Sequence, residues 1–136
     1  MNTELAWAAG FYDGEGCCFT RKCGQGGRAD PSYAIMYLGL SVVQTDRRPL
    51  ERFHSAVEGV GTIVGEGPKT NAVRFAKGWK PLYRWQCQSK SDVARVIELL
   101  WSYLSEPKRE QIETARLAVA EHAAERIIQH PGRWAA

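Results

Sequence analysis

The 136-residue sequence predicts an α+β domain with one antiparallel sheet and helices between and after its hairpins. Three observations predict it. Alternating apolar and polar residues at 33–43 and 82–88 read as strands. Apolar residues three and four apart at 50–57 and 93–104 read as helices. The resulting order is helix, two strands, helix, two strands, helix and helix, which leaves each hairpin joined to the next by a helix.

The first helix is expected from about Glu4 to Gly14, with Asn2 or Thr3 as N-cap and glycines at its end. Cys17 to Lys22 reads as a strand, followed by a flexible connection through Gly24-Gln25-Gly26-Gly27 and Asp30-Pro31. Tyr33 to Val43 is the cleanest strand. Its even positions, Ala34, Met36, Leu38, Leu40 and Val42, would face a core, and Tyr33, Tyr37, Gly39 and Ser41 suit an open face. These two strands make a hairpin.

Thr45 or Asp46 can cap a second helix with Pro49 in its first turn. Leu50, Phe53 and Val57, with His54 as a further candidate, form its buried stripe, and Gly59 stops it. Thr62 to Glu66 and Leu82 to Gln88 are the third and fourth strands, and Gly67 to Pro81 between them extends the hairpin or hangs as a basic loop. Ser91 and Asp92 start a helix carrying Val93, Val96, Ile97, Leu100, Trp101 and Leu104, interrupted by Pro107. A last helix from about Lys108 to Gln129 presents Ile112, Ala115, Leu117, Val119 and Ala120, and His130-Pro131-Gly132 ends it.

Residues 1–136 are expected to form one domain with a real core, given 44% hydrophobic residues and five tryptophans. No basic region followed by an apolar run opens the chain, and no stretch of about 18 apolar residues occurs, so a soluble, intracellular protein is expected. Cys17, Cys18, Cys23 and Cys87 contain no CxxC pair, which disfavours structural zinc and favours reduced, half-buried thiols. His54, His122 and His130 are scattered, with no Ser-His-Asp or His-Cys arrangement, and read as structural. The net charge of +3 is mildly basic, so where the charge sits matters more than its total.

The most informative segment is Ala8-Ala9-Gly10-Phe11-Tyr12-Asp13-Gly14-Glu15-Gly16. Ala6, Ala9, Gly10, Asp13 and Gly14 recur at helical spacing and strip one helix face of side chains. A glycine within a helix costs about 1 kcal/mol relative to alanine. Close approach to a second backbone is the reason that fits two of them, and it would bring the terminal carboxylates to a shared position.

This segment resembles the LAGLIDADG motif of homing endonucleases: Ala9, Gly10, Asp13 and Gly16 match it, Phe11, Tyr12, Gly14 and Glu15 are common variants, and Ala8 replaces the usual leucine. The order of elements also resembles that family's αββαββα fold, with an extra C-terminal helix, and no second copy of the motif follows. The resemblance therefore implies a homodimer in which Ala6, Ala9, Gly10 and Asp13 form the interface. It implies metal ligation by Glu15 and the Gly14 carbonyl, magnesium as the ion with manganese as a substitute, and no small-molecule cofactor. Asp13 would tie down the helix end or the facing subunit. Gln44, after the long strand, falls where the family places a polar residue that positions the attacking water, and Lys108 falls where it often places an active-site lysine. Arg47 or Arg48 are further cation candidates.

Phosphodiester hydrolysis needs a divalent cation held by hard oxygen ligands, which suits this assignment. The open face of the sheet would read double-stranded DNA, because a two-stranded ribbon fits the major groove. Candidate contacts are Arg21, Arg28, Tyr33, Tyr37, Ser41, Arg47, Arg74, Arg84, Gln86 and Gln88, with Lys69, Lys77 and Lys80 on phosphates. The implied function is a site-specific double-strand endonuclease leaving short 3′ overhangs in intron mobility, with no membrane partner. The alternative is a non-cleaving nucleic-acid binder on the same scaffold, a splicing maturase or a transcription regulator. A third reading is a protein-interaction domain with a coincidental motif.

Overall fold

The computed structural model describes residues 1–24, 31–65 and 68–134. Its elements are α1 (Thr3–Glu15), β1 (Gly16–Cys23), β2 (Ile35–Gln44), α2 (Arg47–Ala56), β3 (Thr62–Gly65), α3 (Pro68–Ala76), β4 (Tyr83–Cys87), α4 (Lys90–Leu100), α5 (Glu106–Gln129) and α6 (Pro131–Trp134).

Short polar side chains start four of the helices by accepting otherwise unsatisfied backbone N–H groups. The Asn2 side chain accepts from the Leu5 amide at 3.1 Å, and Asp46 accepts from Arg48 at 2.9 Å. Ser89, upstream of the expected Ser91 and Asp92, accepts from Asp92 at 3.2 Å and starts α4. Ser105 caps α5 with Pro107 in the first turn. Pro107 thus opens a helix instead of interrupting one, since α4 has already ended at Leu100 and given way to a 3₁₀ turn over Trp101–Tyr103.

The four strands form one antiparallel sheet in the order β1-β2-β4-β3. Register places Gly16 opposite Val42, Leu40 opposite Cys87, and Val42 and Ile63 on either side of Trp85. Leu40, Val42, Trp85 and Cys87 are buried beneath α1, α2, α4 and α5 as expected, and the alternation holds in β4; in β2 Gly39 and Ser41, expected on an open face, are buried as well. Phe53 of α2 anchors this core, edge-on to Trp85 at 4.7 Å between ring centres, while the Trp85 indole N–H donates to the Val60 carbonyl at 3.0 Å. Val57 and Leu50 complete the α2 stripe as expected, and His54 sits at its margin with Nε2 3.0 Å from the Gly61 carbonyl oxygen.

Three expectations are corrected. The segment between β3 and β4 folds as the helix α3, neither a longer hairpin nor a loop. Tyr33 closes a 3₁₀ turn over Pro31–Tyr33 and stacks on His130 at 3.9 Å, so β2 begins two residues later than expected. On α5, Ile112 is buried but Leu117 and Ala120 face solvent, because the stripe that packs inward continues from Ile112 through Val119, Ala123 and Arg126 and leaves them on the other face. The connection expected over Gly24–Pro31 falls largely outside the described residues. None of the described helices is long and apolar enough to cross a membrane.

Candidate functional site

Helix α1 has two unlike faces. Ala8, Ala9 and Tyr12 are fully buried against the chain's own core. Gly10 and Gly14 are exposed, and a Cβ built on either would meet no atom within 4 Å. Ala6 and Asp13 lie half-buried at the edges of this bare strip. Ala9 is therefore corrected from the interface set: its small side chain lets α1 sit close to its own subunit, not to a neighbour.

At the end of the strip, Glu15 is exposed at the last position of α1, and the chain turns directly into β1. Gly16 makes that turn possible, because a Cβ there would drive into the Tyr12 ring. The carboxylate is thus carried at the joint of two rigid elements, with the Gly14 carbonyl one residue before it. Two further groups brace this joint. Asp13 accepts from the Ser105 amide at 3.1 Å and from its hydroxyl at 2.9 Å, clamping the end of α1 to the start of α5. Lys108, only 8% exposed, donates from Nζ to the Gly16 carbonyl at 3.0 Å and lies 5.4 Å from the centre of the Tyr12 ring.

Burial raises the pKa of the Tyr12 phenol, with the neighbouring Cys18, Cys17 and Cys87 adding to the effect, so it stays neutral and acts as a wall. Burial likewise pushes the Cys18 thiol up to about 11, which keeps it from ionising near neutral pH. Gln44 ends β2, two residues beyond the Gly16–Val42 pair, and so lies at the end of the strands where α1 passes into β1. Glu15, the Gly14 carbonyl and Lys108 thus lie at the joint of α1 and β1, one corner of the fold, and Gln44 ends β2 on the same side of the sheet. Among the described residues no group of three or more His, Cys, Asp and Glu could hold a metal ion within one subunit.

Asp13→Ala is expected to lower stability by about 0.5–1.5 kcal/mol, since it removes the clamp on the exposed Ser105 amide and hydroxyl, which water then solvates. Urea unfolding followed by circular dichroism measures this. Asp13→Asn should recover part of the loss, because one amide oxygen still accepts.

On the opposite face of the sheet, register aligns Arg21 with Tyr37, Ser41 with both Cys17 and Gln86, and Arg84 with both Val43 and Val64. No described helix covers this face. Arg21 is exposed, and Tyr37, Arg84 and Gln86 are partly exposed on it. Other expected contacts are sunk within this face or lie off it. Ser41 is only 3% exposed, a short side chain sunk between longer neighbours on β1 and β4. Gln88 lies past the end of β4 and lines a groove of about 330 Å³ with Met36, Leu38, Ile97 and Val119 on the helix side. Tyr33 is taken up by its stack on His130. Lys69 and Arg74 ride on α3, and Lys77 and Lys80 follow it. Arg28 lies outside the described residues. Arg47 is at the start of α2, exposed and paired with Glu51 at 3.0 Å, and Arg48 pairs with Asp46.

Sequence reasoning missed Ser105 and Tyr12 as members of this corner. Ser105 stands two residues before Pro107, a helix-start signal that was legible. Tyr12 carried no signal beyond its place in the motif.

Neither family models nor curated proteins match this chain. Solved structures do. The homing endonuclease I-CvuI, in complex with its target in the presence of 2 mM Ca, superposes with a TM-score of 0.63 at 20% identity over 88% of this chain and 66% of that one. The archaeal intron-encoded homing endonuclease I-Vdi141I, complexed with DNA, gives 0.63 at 18% identity over 87% of this chain and 70% of that one. The LAGLIDADG meganuclease I-CpaMI, bound to uncleaved DNA, gives 0.65 at 16% identity over 97% of this chain and 40% of that one. The chain spans less than two thirds of I-CvuI and less than half of I-CpaMI. What is shared at these identities is the architecture: this chain has the LAGLIDADG homing endonuclease fold.

Proposed function

We propose that two copies of this chain form a divalent-metal-dependent, site-specific double-strand DNA endonuclease of the homing type. The observation that carries this reading is the bare Gly10–Gly14 strip of α1 ending at the exposed Glu15. A helix face without side chains permits another helix to approach closely, and a two-fold axis along it would set two Glu15 carboxylates side by side. The single fold unit in this chain, against 40% coverage of I-CpaMI, leaves room in that longer protein for a second unit, which supports a pairing of units here.

The donor set fits a hard cation: one carboxylate and one backbone carbonyl per copy, both oxygen. One subunit offers no three-ligand cluster among the described residues, so the partner's carboxylate and the DNA phosphates would complete the shell. Glu15 and the Gly14 carbonyl would hold magnesium, with manganese as a substitute; when bound, the ion polarises the phosphate and activates water. Gln44 orients the attacking water from the sheet edge. Lys108 fixes the backbone that carries Glu15 and places a cation behind it. Ala6, Gly10 and Asp13 remain in the proposed interface, Asp13 through its clamp on Ser105. Arg21, Tyr37, Arg84 and Gln86 on the open face read the duplex, and Arg47 serves phosphates. The product would carry short 3′ overhangs, and the biological role would be intron mobility.

The test is cleavage of duplexes that the protein itself selects from a randomised pool in calcium. Supplying magnesium should cut both strands of the selected duplex, and EDTA should abolish cutting while leaving the circular dichroism spectrum unchanged. Tight binding without cleavage in magnesium or manganese would leave a non-cleaving DNA binder instead.

A further inference from the structure

Resting on the nuclease reading above, we propose that the lobe formed by α3 and the residues after it, Pro68–Lys80, is a second DNA-contacting element. In it Phe75 inserts into the base stack beside the cleavage centre while neighbouring cations hold the phosphates.

The charge distribution points there. Residues 68–80 contain Lys69, Arg74, Lys77 and Lys80 and no acidic residue. The whole chain has 18 basic and 15 acidic residues, so outside this lobe 14 basic residues face 15 acidic ones. The excess positive charge of the protein is therefore concentrated in one lobe of 13 residues, which suits a polyanion.

The position is equally specific. β3 ends and β4 begins at the Gly65–Tyr83 pair, and Tyr83 also pairs with Gln44. The lobe thus springs from the end of the strands at which β2 closes with Gln44 and β1 begins after Glu15, with β2 between it and β1. Lys80 is near enough to Asp46, two residues past Gln44, to help hold that carboxyl below its usual range, chiefly the work of Arg48.

The lobe is built. The Asn71 side chain accepts from the Leu82 amide at 3.1 Å, and the Arg74 guanidinium donates to the Lys80 carbonyl at 2.8 Å. Lys77 and Arg74 lie 4.8 and 5.4 Å from the centre of the Trp79 ring, so that indole braces two cations in one place. Phe75, in contrast, is 79% exposed among these charges. An apolar ring held out on a basic element is the form of a side chain that wedges between base pairs and unstacks them. A second copy of this chain is a poor occupant, because two such lobes would bring like charges together. Unstacking at the centre would also let base steps be discriminated by how easily they deform.

The test uses the full-length protein and a duplex it selects from a randomised pool, labelled with 2-aminopurine at the central step. Wild type should raise the 2-aminopurine fluorescence on binding. Phe75→Ala should abolish that rise and weaken binding about ten-fold or more, and Phe75→Leu should restore part of both. Lys69→Ala and Lys80→Ala should each flatten the salt dependence of binding by about one unit of slope without touching the fluorescence. Unchanged thermal unfolding of Phe75→Ala keeps the comparison clean, since the ring is exposed. If Phe75→Ala binds and brightens as wild type does, the wedge is overturned and the nuclease reading stands. If Phe75→Ala instead changes the oligomeric state without DNA, the lobe is a protein interface and the proposal fails. If wild type selects no duplex at all, both readings fail together.

Discussion

Exchanging Glu15 for glutamine is expected to lower strand cleavage about a thousand-fold or more while DNA affinity in calcium stays within about ten-fold. The substitution keeps the shape and removes the charge that would hold the cation. Its effect on the fold should run the other way. Glu15 closes α1, with Asp13 in the same last turn and no basic residue there. An anion at a helix C-terminus faces the negative end of the macrodipole and is unfavourable by about 0.3–1 kcal/mol. Two such carboxylates meeting across a dimer would repel each other as well. Glu15→Gln should therefore be slightly more stable than wild type and almost inactive. An ordinary helix-terminal acid predicts the small stability gain with no loss of cleavage, so measuring both on the same preparation separates the two accounts.

Gly10→Leu is the second large effect. The strip is open in one subunit, so leucine costs little folding energy there beyond solvent exposure of its side chain. In an isologous interface the same side chain enters twice, at about 1–3 kcal/mol for each overpacked site. Dimerisation should weaken roughly a hundred-fold, double-strand cutting should give way to slow nicking or none, and the monomer should remain folded. Sedimentation and circular dichroism on the same variant read both halves. Gly14→Leu should behave alike, with cleavage hit harder because its carbonyl is a proposed ligand.

The parts of the fold visible in the sequence were those where one physical signal dominated. Alternation in 33–43 and 82–88 gave the central strands because both run under helices on one side. The stripe Leu50, Phe53 and Val57 gave α2 for the same reason. α3 was hidden because Lys69, Thr70, Val73 and Lys77 bury no common face, so no helical period marks it. Pro107 misled because proline both ends and begins helices, and only Ser105 before it decides which.

For the site, the motif segment placed Glu15, Gly14 and Gly10 where an open helix face and a rigid turn later stood. The same segment could not tell which small residues look inward. Ala9 and Gly10 are adjacent and equally small, and only the position of Tyr12 and Phe53 in the core puts Ala9 inside and Gly10 outside. The face of the sheet on which a residue lies was legible in alternation, but its depth was not. Ser41 shares a face with Gln86 yet sits below its neighbours, because it lies on a central strand flanked on both sides. Lys108 was found through resemblance, and its burial against the Gly16 carbonyl is a tertiary fact that nothing in the surrounding sequence encodes.

The pairing of two chains along α1 is tested most directly by the mass of the protein–DNA complex on a single selected duplex, measured for wild type and Gly10→Leu. Two wild-type protomers per duplex, falling to one for Gly10→Leu, is the predicted result. A wild-type complex with one protomer that still cuts both strands would contradict it.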